Sequence, residues 1–222
     1  MRKSNLITRL RDGSGRWLEL QEELRNHAVE FYSHLFTSGK VDASQFSIHG
    51  RFLPLSDSAV DYFDSHVSMD EARKAVFHMA ALKAPGVDGL HALFYQRNWN
   101  IVGADICRLV QDIFEGAPFP ENLNDTLPVM IPKVKSPENM SQFRPISLCQ
   151  VLYKIVTKVV VNRIKPFISE WVKDNQTSFV PGRLISDNII IAQEVVHSMR
   201  RKTRAKGWMA EKIDLERAYD RL

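Results

Sequence analysis

The sequence predicts an α+β fold, in which several helices accompany a small group of strands. Apolar residues recur at helical spacing over residues 18–36 and again over residues 151–168. Two short strand-like runs, residues 126–136 and 143–148, lie close together and contain prolines, which favour strand ends or sheet edges. The 222 residues are 44% hydrophobic and 25% charged, a composition typical of globular proteins.

The first 64 residues are predicted to form a helical connector followed by a linker. The helix spans about residues 18–36, and its apolar positions share one face: Leu20, Leu24, Ala28, Phe31 and Leu35. Residues 37–67 contain scattered Gly, Pro, Ser and Asp, which favour irregular structure. We therefore interpret residues 37–67 as a linker that leads to a second region.

The second region begins with a helix start signal. In SMDE, Ser68 and Glu71 have the spacing of a capping box, so we expect a helix to about Lys83. The segment KAPGVDGL, residues 83–90, contains Pro, Gly and Asp at positions that favour a tight turn. A further helix is expected over residues 91–114, with an interruption near Gly103.

The remaining elements follow the two predicted strands. The helix over residues 151–168 is followed by a loop over residues 175–183. A second helix is expected over residues 188–201, and a last strand over residues 208–215. No apolar run approaches the length of roughly 18–20 residues that spans a bilayer, and the basic N-terminus lacks the apolar core of a signal peptide.

Positive charge is concentrated in the second half of the chain. Residues 128–206 carry 14 Lys and Arg against 5 Asp and Glu, whereas residues 1–127 carry 13 against 17. Such a basic block favours a polyanionic partner, although a solvated basic surface is equally consistent with it. Within it, Lys154, Lys158 and Lys165 fall on one face of the predicted helix and are candidates for contact with nucleic-acid phosphates or with solvent.

Four segments in a fixed order carry a resemblance to a known family. They are KAPGVDGL (83–90), LPVMIPK to NRIKPFI (127–168), NQTSFVPGR to HSMRR (175–201) and KIDLERAYDRL (212–222). Together they resemble the reverse transcriptases of non-LTR, LINE-type retrotransposons, and look most like the plant branch. Group II intron maturases share the polymerase core, but the FRPISL and FVPGR segments look LINE-like.

The resemblance covers about residues 65–222, and residues 1–64 look similar to the connector that precedes the polymerase in such elements. It implies a right-hand polymerase fold that is incomplete here. Residues 68–206 would form the fingers, and residues 207–222 the start of the palm. Asp214 matches the first catalytic aspartate of the family, a Mg²⁺ ligand, and the carbonyl of Leu215 matches the adjacent metal contact. Tyr219 matches the aromatic residue beneath the sugar of the incoming nucleotide, or it is a core aromatic at helical spacing.

The resemblance also implies contacts to nucleotide and template. Lys133 and Arg144 match basic fingers residues that contact the triphosphate, although template contact or a plain surface charge would suit them too. A further group matches a box that lies near template and nucleotide: Gln176, Phe179, Gly182 and Arg183. The implied partners are an RNA template, a DNA primer and dNTPs, with no membrane.

The second carboxylate of the family lies in a later box of an aromatic residue, Ala, Asp and Asp. The 222 residues contain no adjacent aspartates. We therefore predict a truncated RNA-directed DNA polymerase domain that is inactive by itself. The alternatives are a non-catalytic nucleic-acid-binding fingers fragment and an inert retroelement relic. The family implies a nuclear location, and the residues alone are equally consistent with a cytoplasmic one.

Overall fold

A computed structural model shows helices together with two small sheets. It describes residues 6–37, 54–173, 176–201, 208–211 and 213. Contacts divide the chain into a hairpin unit, residues 1–48, 126–148 and 213–222, and a helical unit, residues 49–125 and 149–212. This grouping differs from the division expected after residue 64, because the N-terminal segment shares its core with the strands.

Two hairpins and one long helix build the hairpin unit. β1 (Leu10–Arg11) pairs antiparallel with β2 (Trp17–Leu18), and α1 (Gln21–Phe36) follows. β3 (Thr126–Pro132) pairs with β4 (Phe143–Cys149) in the second sheet. Buried side chains from both hairpins and from α1 form one apolar core: Leu10, Leu18, Leu24, Tyr32, Met140 and Phe143.

The turn between β1 and β2 is organised by Asp12. Its carboxylate accepts hydrogen bonds from the Ser14 hydroxyl at 2.6 Å, the Ser14 amide at 2.9 Å and the Arg16 amide at 3.0 Å. The Ser14 hydroxyl contributes most to lowering the pKa of Asp12 to about 2. Gly15 has a φ of +89°, a left-handed conformation that glycine adopts without a steric penalty.

Seven helices make up the described part of the helical unit. They are α2 (Asp57–Asp64), α3 (Met69–Phe77), α4 (Ala92–Arg97), α5 (Trp99–Phe114), α6 (Val151–Ile164), α7 (Ile168–Trp171) and α8 (Ile185–Arg201). The core lies among α3, α4, α5 and α6 and includes Val76, Tyr95, Ile106, Val110, Ile155 and Val159. In the described residues, no helix has both the length and the apolar character needed to cross a membrane.

A buried arginine fastens α6 to the segment that precedes α3. Arg163 is 2% exposed and donates to both carboxylate oxygens of Glu71, at 2.7 and 3.2 Å. It also donates to the backbone oxygens of Phe63, Ser65 and His66, at 3.1, 2.8 and 3.3 Å. A buried charge is tolerated only when it is paired and hydrogen-bonded, and Arg163 meets both conditions.

Glu71 connects this network to the start of α3. Ser68 accepts a hydrogen bond from the Glu71 amide at 3.2 Å, and the Glu71 carboxylate accepts one from the Ser68 amide at 2.9 Å. The predicted capping box is therefore confirmed. Burial raises the pKa of Glu71, but the hydrogen bonds from Arg163 and Ser68 outweigh that effect and lower the pKa below its ordinary value.

Most predicted helices and strands are confirmed, with shifted ends. The helix expected over residues 18–36 is α1, that over 151–168 is α6, and that over 188–201 is α8. The two predicted strands are β3 and β4. The helix expected to reach Lys83 ends at Phe77, because the chain then turns toward the glycine-containing segment.

Two expectations about breaks and linkers are wrong. Residues 57–64 form α2, where Ser56 caps the helix by accepting from the Ala59 amide, although the sequence predicted a linker. The interruption expected near Gly103 occurs at Asn98, between α4 and α5. Gly103 lies inside α5 with the Trp99 indole against it, and a Cβ there would lie 2.8 Å from the ring. This glycine therefore makes room for a side chain rather than ending the helix.

The last predicted strand, residues 208–215, is not found where the structure describes the chain. Residues 208–211 and 213 have no regular secondary structure. Their largest side chains are exposed, with Trp208 at 59% and Met209 at 89%. A strand is stable only when neighbouring strands or a packed face support it, and local pattern alone does not supply that support.

Candidate nucleic-acid interface

The second hairpin carries Lys133 and Arg144 at one end. Lys133 directly follows β3, and Arg144 is the second residue of β4. The Lys133 amide donates to the Gln142 oxygen at 2.8 Å, which closes the hairpin at this end. The Lys133 ammonium donates to the Ser141 oxygen at 2.9 Å, and an ammonium group has two further hydrogens to donate. Both side chains are exposed, so this hairpin end presents two cations to solvent.

The connection between β3 and β4 is held in a defined shape. The Gln142 side-chain oxygen accepts from the Glu138 amide at 2.6 Å and from the Asn139 amide at 3.2 Å. Glu138 in turn forms an ion pair with Arg11 at 3.0 Å, and its backbone oxygen accepts from the Arg11 amide at 2.7 Å. The N-terminal strand β1 thus supports the loop beside Lys133 and Arg144.

Support of this loop by β1 was not predicted from the sequence. β1 and β2 are only two residues long each, so they have no alternation of apolar and polar residues that would predict a strand. The Asp12–Ser14–Gly15 turn was the available signal, because such residues favour hairpin turns.

The loop that contains Gln176, Phe179, Gly182 and Arg183 is held by the arginine. The Arg183 guanidinium donates to the backbone oxygens of Ser169 at 3.0 Å, Val172 at 2.7 Å and Gln176 at 2.7 Å, and also to that of Lys173. These bonds fasten the loop to the C-terminal end of α7. In the described geometry, Arg183 therefore shapes the loop from within.

Phe179 is the member of this group that projects outward. Its ring is 89% exposed, and its φ of +66° is unusual for a bulky residue. Val180 beside it is buried, and Gly182 turns the chain with a φ of +81°. The predicted residues of this loop therefore have different positions: Arg183 and Gly182 shape the loop, and Phe179 exposes an aromatic face. An exposed aromatic ring is a suitable surface for stacking a nucleobase.

The structure brings together two of the three lysines predicted on α6. Lys154 and Lys158 are half-buried beside the segment that follows α3, and the Lys154 ammonium donates to the Ala84 oxygen at 3.3 Å. Lys165 is exposed at the C-terminal cap of α6 and does not line the same groove. Contact of these three lysines with nucleic-acid phosphates stays a prediction.

The expected metal site lies outside the described residues. Asp214, Leu215 and Tyr219 are not among them. In the ranges that are described, no three His, Cys, Asp or Glu side chains gather where they could hold a metal ion.

Comparison with known proteins agrees with the proposed family. The model of the family described as "Reverse transcriptase (RNA-dependent DNA polymerase)" matches residues 131–222, the range that contains every predicted site residue. The "Transposon TX1 uncharacterized 149 kDa protein" of Xenopus laevis is 30% identical over 217 residues, which is 97% of this chain and 16% of that protein. The resemblance to the plant branch in particular stays a prediction. Residues 131–222 therefore match the reverse transcriptase family, and the two comparisons together support a fragment of a non-LTR retrotransposon reverse transcriptase.

Proposed function

We propose that this chain forms the fingers and the start of the palm of an RNA-directed DNA polymerase, and that it holds template and incoming nucleotide. The observation that carries the proposal is the pair of exposed cations, Lys133 and Arg144, at one end of the β3–β4 hairpin. Both lie within residues 131–222, which match the family. A triphosphate needs cations in fixed positions, because phosphoryl transfer depends on charge neutralisation and alignment more than on covalent chemistry.

Each predicted residue has a role that suits its chemistry. Arg144 would bind phosphate oxygens in pairs through its planar guanidinium, and Lys133 would supply a point charge beside it. Phe179 would stack on a template base or on the nucleotide base. Gln176, Gly182 and Arg183 would keep the Phe179 loop in shape, which is an indirect contribution to binding.

The palm residues complete the proposal. Asp214 and the Leu215 carbonyl would hold a divalent metal such as Mg²⁺, which neutralises charge on the transferred phosphate when it is bound. Tyr219 would lie beneath the sugar and disfavour a ribose 2′-hydroxyl, so that dNTPs are selected. A two-metal site needs a further carboxylate opposite Asp214, and the 222 residues contain no adjacent aspartates to provide it.

The test of the proposal measures how dNTPs change the dissociation rate of a labelled RNA template annealed to a DNA primer. We expect the dNTP that matches the next template base, with Mg²⁺, to slow dissociation of the primer–template more than a mismatched dNTP. Lys133→Gln with Arg144→Gln should abolish this difference and leave basal binding of primer–template in place. Equal effects of matched and mismatched dNTPs on the unsubstituted chain would contradict nucleotide recognition.

A second candidate function is nucleic-acid binding without chemistry. The excess of positive charge over residues 128–206, with 14 Lys and Arg against 5 Asp and Glu, favours it. We expect the purified chain to bind primer–template with a steep dependence on salt and to show no primer extension, since one aspartate does not hold both metals. Extension above background would refute this expectation, and loss of all salt-dependent binding would favour an inert relic.

A further inference from the structure

The connection between β3 and β4 carries an exposed serine that has no role in the proposed nucleotide contacts. Ser136 ends a stretch of exposed residues, 133–136, that has no regular secondary structure. In the described part of the chain, its hydroxyl has no hydrogen-bond partner. Pro137 follows it directly. A free hydroxyl on an exposed loop is accessible to an enzyme that modifies serine.

The Ser136–Pro137 dipeptide occurs once in the chain. The sequence contains 10 prolines, and Pro137 is the only one that follows a serine or a threonine. Proline has no backbone N–H, so a kinase that accepts a serine before proline must bind the peptide without that hydrogen bond. Proline-directed protein kinases have this property, and they therefore find a single acceptor dipeptide in this sequence.

Cations lie around Ser136. It lines a cavity of about 300 Å³ together with Arg9 and Lys135. Neither of these two cations forms an ion pair with another residue that the structure describes. The carboxylate in the same lining, Glu138, is already paired with Arg11 at 3.0 Å. A phosphate on serine carries a charge of about −1.5 to −2 at pH 7 and three acceptor oxygens, so two free cations are available to it here.

The same loop begins at a residue of the proposed nucleotide site. Lys133 is three positions before Ser136, and three residues of extended chain span at most roughly 11 Å. The Debye length is about 10 Å at 0.1 M salt, so a phosphate on Ser136 is only partly screened from a ligand on Lys133. A dNTP with bound Mg²⁺ still has net negative charge, and Coulomb repulsion at this distance in water weakens its binding about two- to fourfold.

We propose that Ser136 is a phosphorylation site for a proline-directed protein kinase, and that its phosphate weakens binding of the incoming nucleotide at Lys133 and Arg144. The Ser136 hydroxyl oxygen bonds to the γ-phosphorus of ATP, the bond from that phosphorus to ADP breaks, and the hydroxyl proton passes to a base of the kinase. Arg9 and Lys135 pair with the new phosphate. The effect on nucleotide binding rests on the proposed function, whereas the modification of Ser136 does not.

The first experiment incubates the full chain with a cyclin-dependent protein kinase and radiolabelled ATP, and mass spectrometry of its peptides locates the phosphate. We expect a single phosphate, on Ser136, and none on Ser136→Ala or on Pro137→Ala, which keeps the hydroxyl. The matched control is Ser198→Ala, which removes an exposed hydroxyl on α8 that no proline follows and should leave incorporation unchanged. Circular dichroism checks that each variant is folded.

The second experiment compares phosphorylated and unmodified chain for the concentration of matched dNTP that slows dissociation of primer–template. The phosphorylated chain should need about two- to fourfold more dNTP at 0.1 M salt. Treatment with a phosphatase should restore the original value, because it removes the phosphate and leaves the chain otherwise unchanged.

The outcomes separate this inference from the proposed function. A lack of phosphate on the unsubstituted chain, or a phosphate that persists in Ser136→Ala, would overturn the inference. Equal dNTP requirements of the phosphorylated and the unmodified chain would overturn the effect on nucleotide binding. If matched dNTP has no effect on the unmodified chain, the proposed function fails, and the first experiment still decides whether Ser136 is modified.

Discussion

The helices α6 and α8 are both rich in Ile and Val, but α6 buries several of these side chains, whereas those of α8 are exposed. α6 buries Val151, Ile155, Val156 and Val159 in the core of the helical unit. α8 buries none of its residues, and six of its branched apolar side chains are each between 44% and 65% exposed: Ile185, Ile189, Ile190, Ile191, Val195 and Val196. Periodicity predicts a helix in both cases, but only packed neighbours decide whether its apolar face contributes to stability.

The largest effect should come from Arg163, which anchors α6. Arg163→Ala would leave the partly buried Glu71 carboxylate without its cation and three backbone oxygens without a donor. Breaking a buried pair in this way costs about 3–5 kcal/mol, so we expect a loss of that size in the free energy of unfolding. Urea denaturation followed by circular dichroism measures it.

The control for that experiment is Arg200→Ala on α8, where the side chain is exposed and should change stability by no more than about 0.5 kcal/mol. A loss of less than about 1 kcal/mol for Arg163→Ala, the size of one ordinary hydrogen bond, would show that the buried network contributes little net stability.

A matched pair of isoleucines tests the comparison of the two helices directly. Ile155 is fully buried on α6, whereas Ile190 on α8 is 57% exposed. We expect Ile155→Ala to lower the free energy of unfolding by about 2–5 kcal/mol, because it removes buried methylenes and leaves a cavity. Ile190→Ala should change it by no more than about 0.5 kcal/mol. A large loss for Ile190→Ala would mean that α8 is covered in solution.

The sequence predicted what depends on local pattern. The Ser68–Glu71 capping box, the helices α1 and α6 and the strands β3 and β4 all follow from spacing and turn residues within a few positions. A charge between apolar positions of a helix ordinarily marks a solvated face, so nothing local distinguished the buried Arg163 from the exposed Lys165. Its burial depends on carbonyl groups about 100 residues away in the chain.

For the candidate site too, motifs within a segment were predictable and contacts between segments were not. Motif order predicted which residues of the β3–β4 hairpin and of the loop after α7 carry cations and an aromatic ring. Spacing did not predict that the Arg183 guanidinium donates its hydrogen bonds to backbone oxygens. It also did not predict that Lys158 and Lys83 line the same groove. Those relations depend on how separate segments pack, which the pattern within each segment does not contain.

The smallest effect should come from two glycines of the KAPGVDGL segment, and it tests whether this segment is held by α6. Gly86→Ala places a methyl group within 2.5–2.7 Å of backbone atoms of Cys149 and Gln150, so we expect a loss of about 1–3 kcal/mol in the free energy of unfolding. Gly89 has a φ of +70° and open space around it, so Gly89→Ala should cost only about 1 kcal/mol of backbone strain. Thermal denaturation of both variants measures the difference. Equal losses would mean that the close approach to α6 is absent in solution.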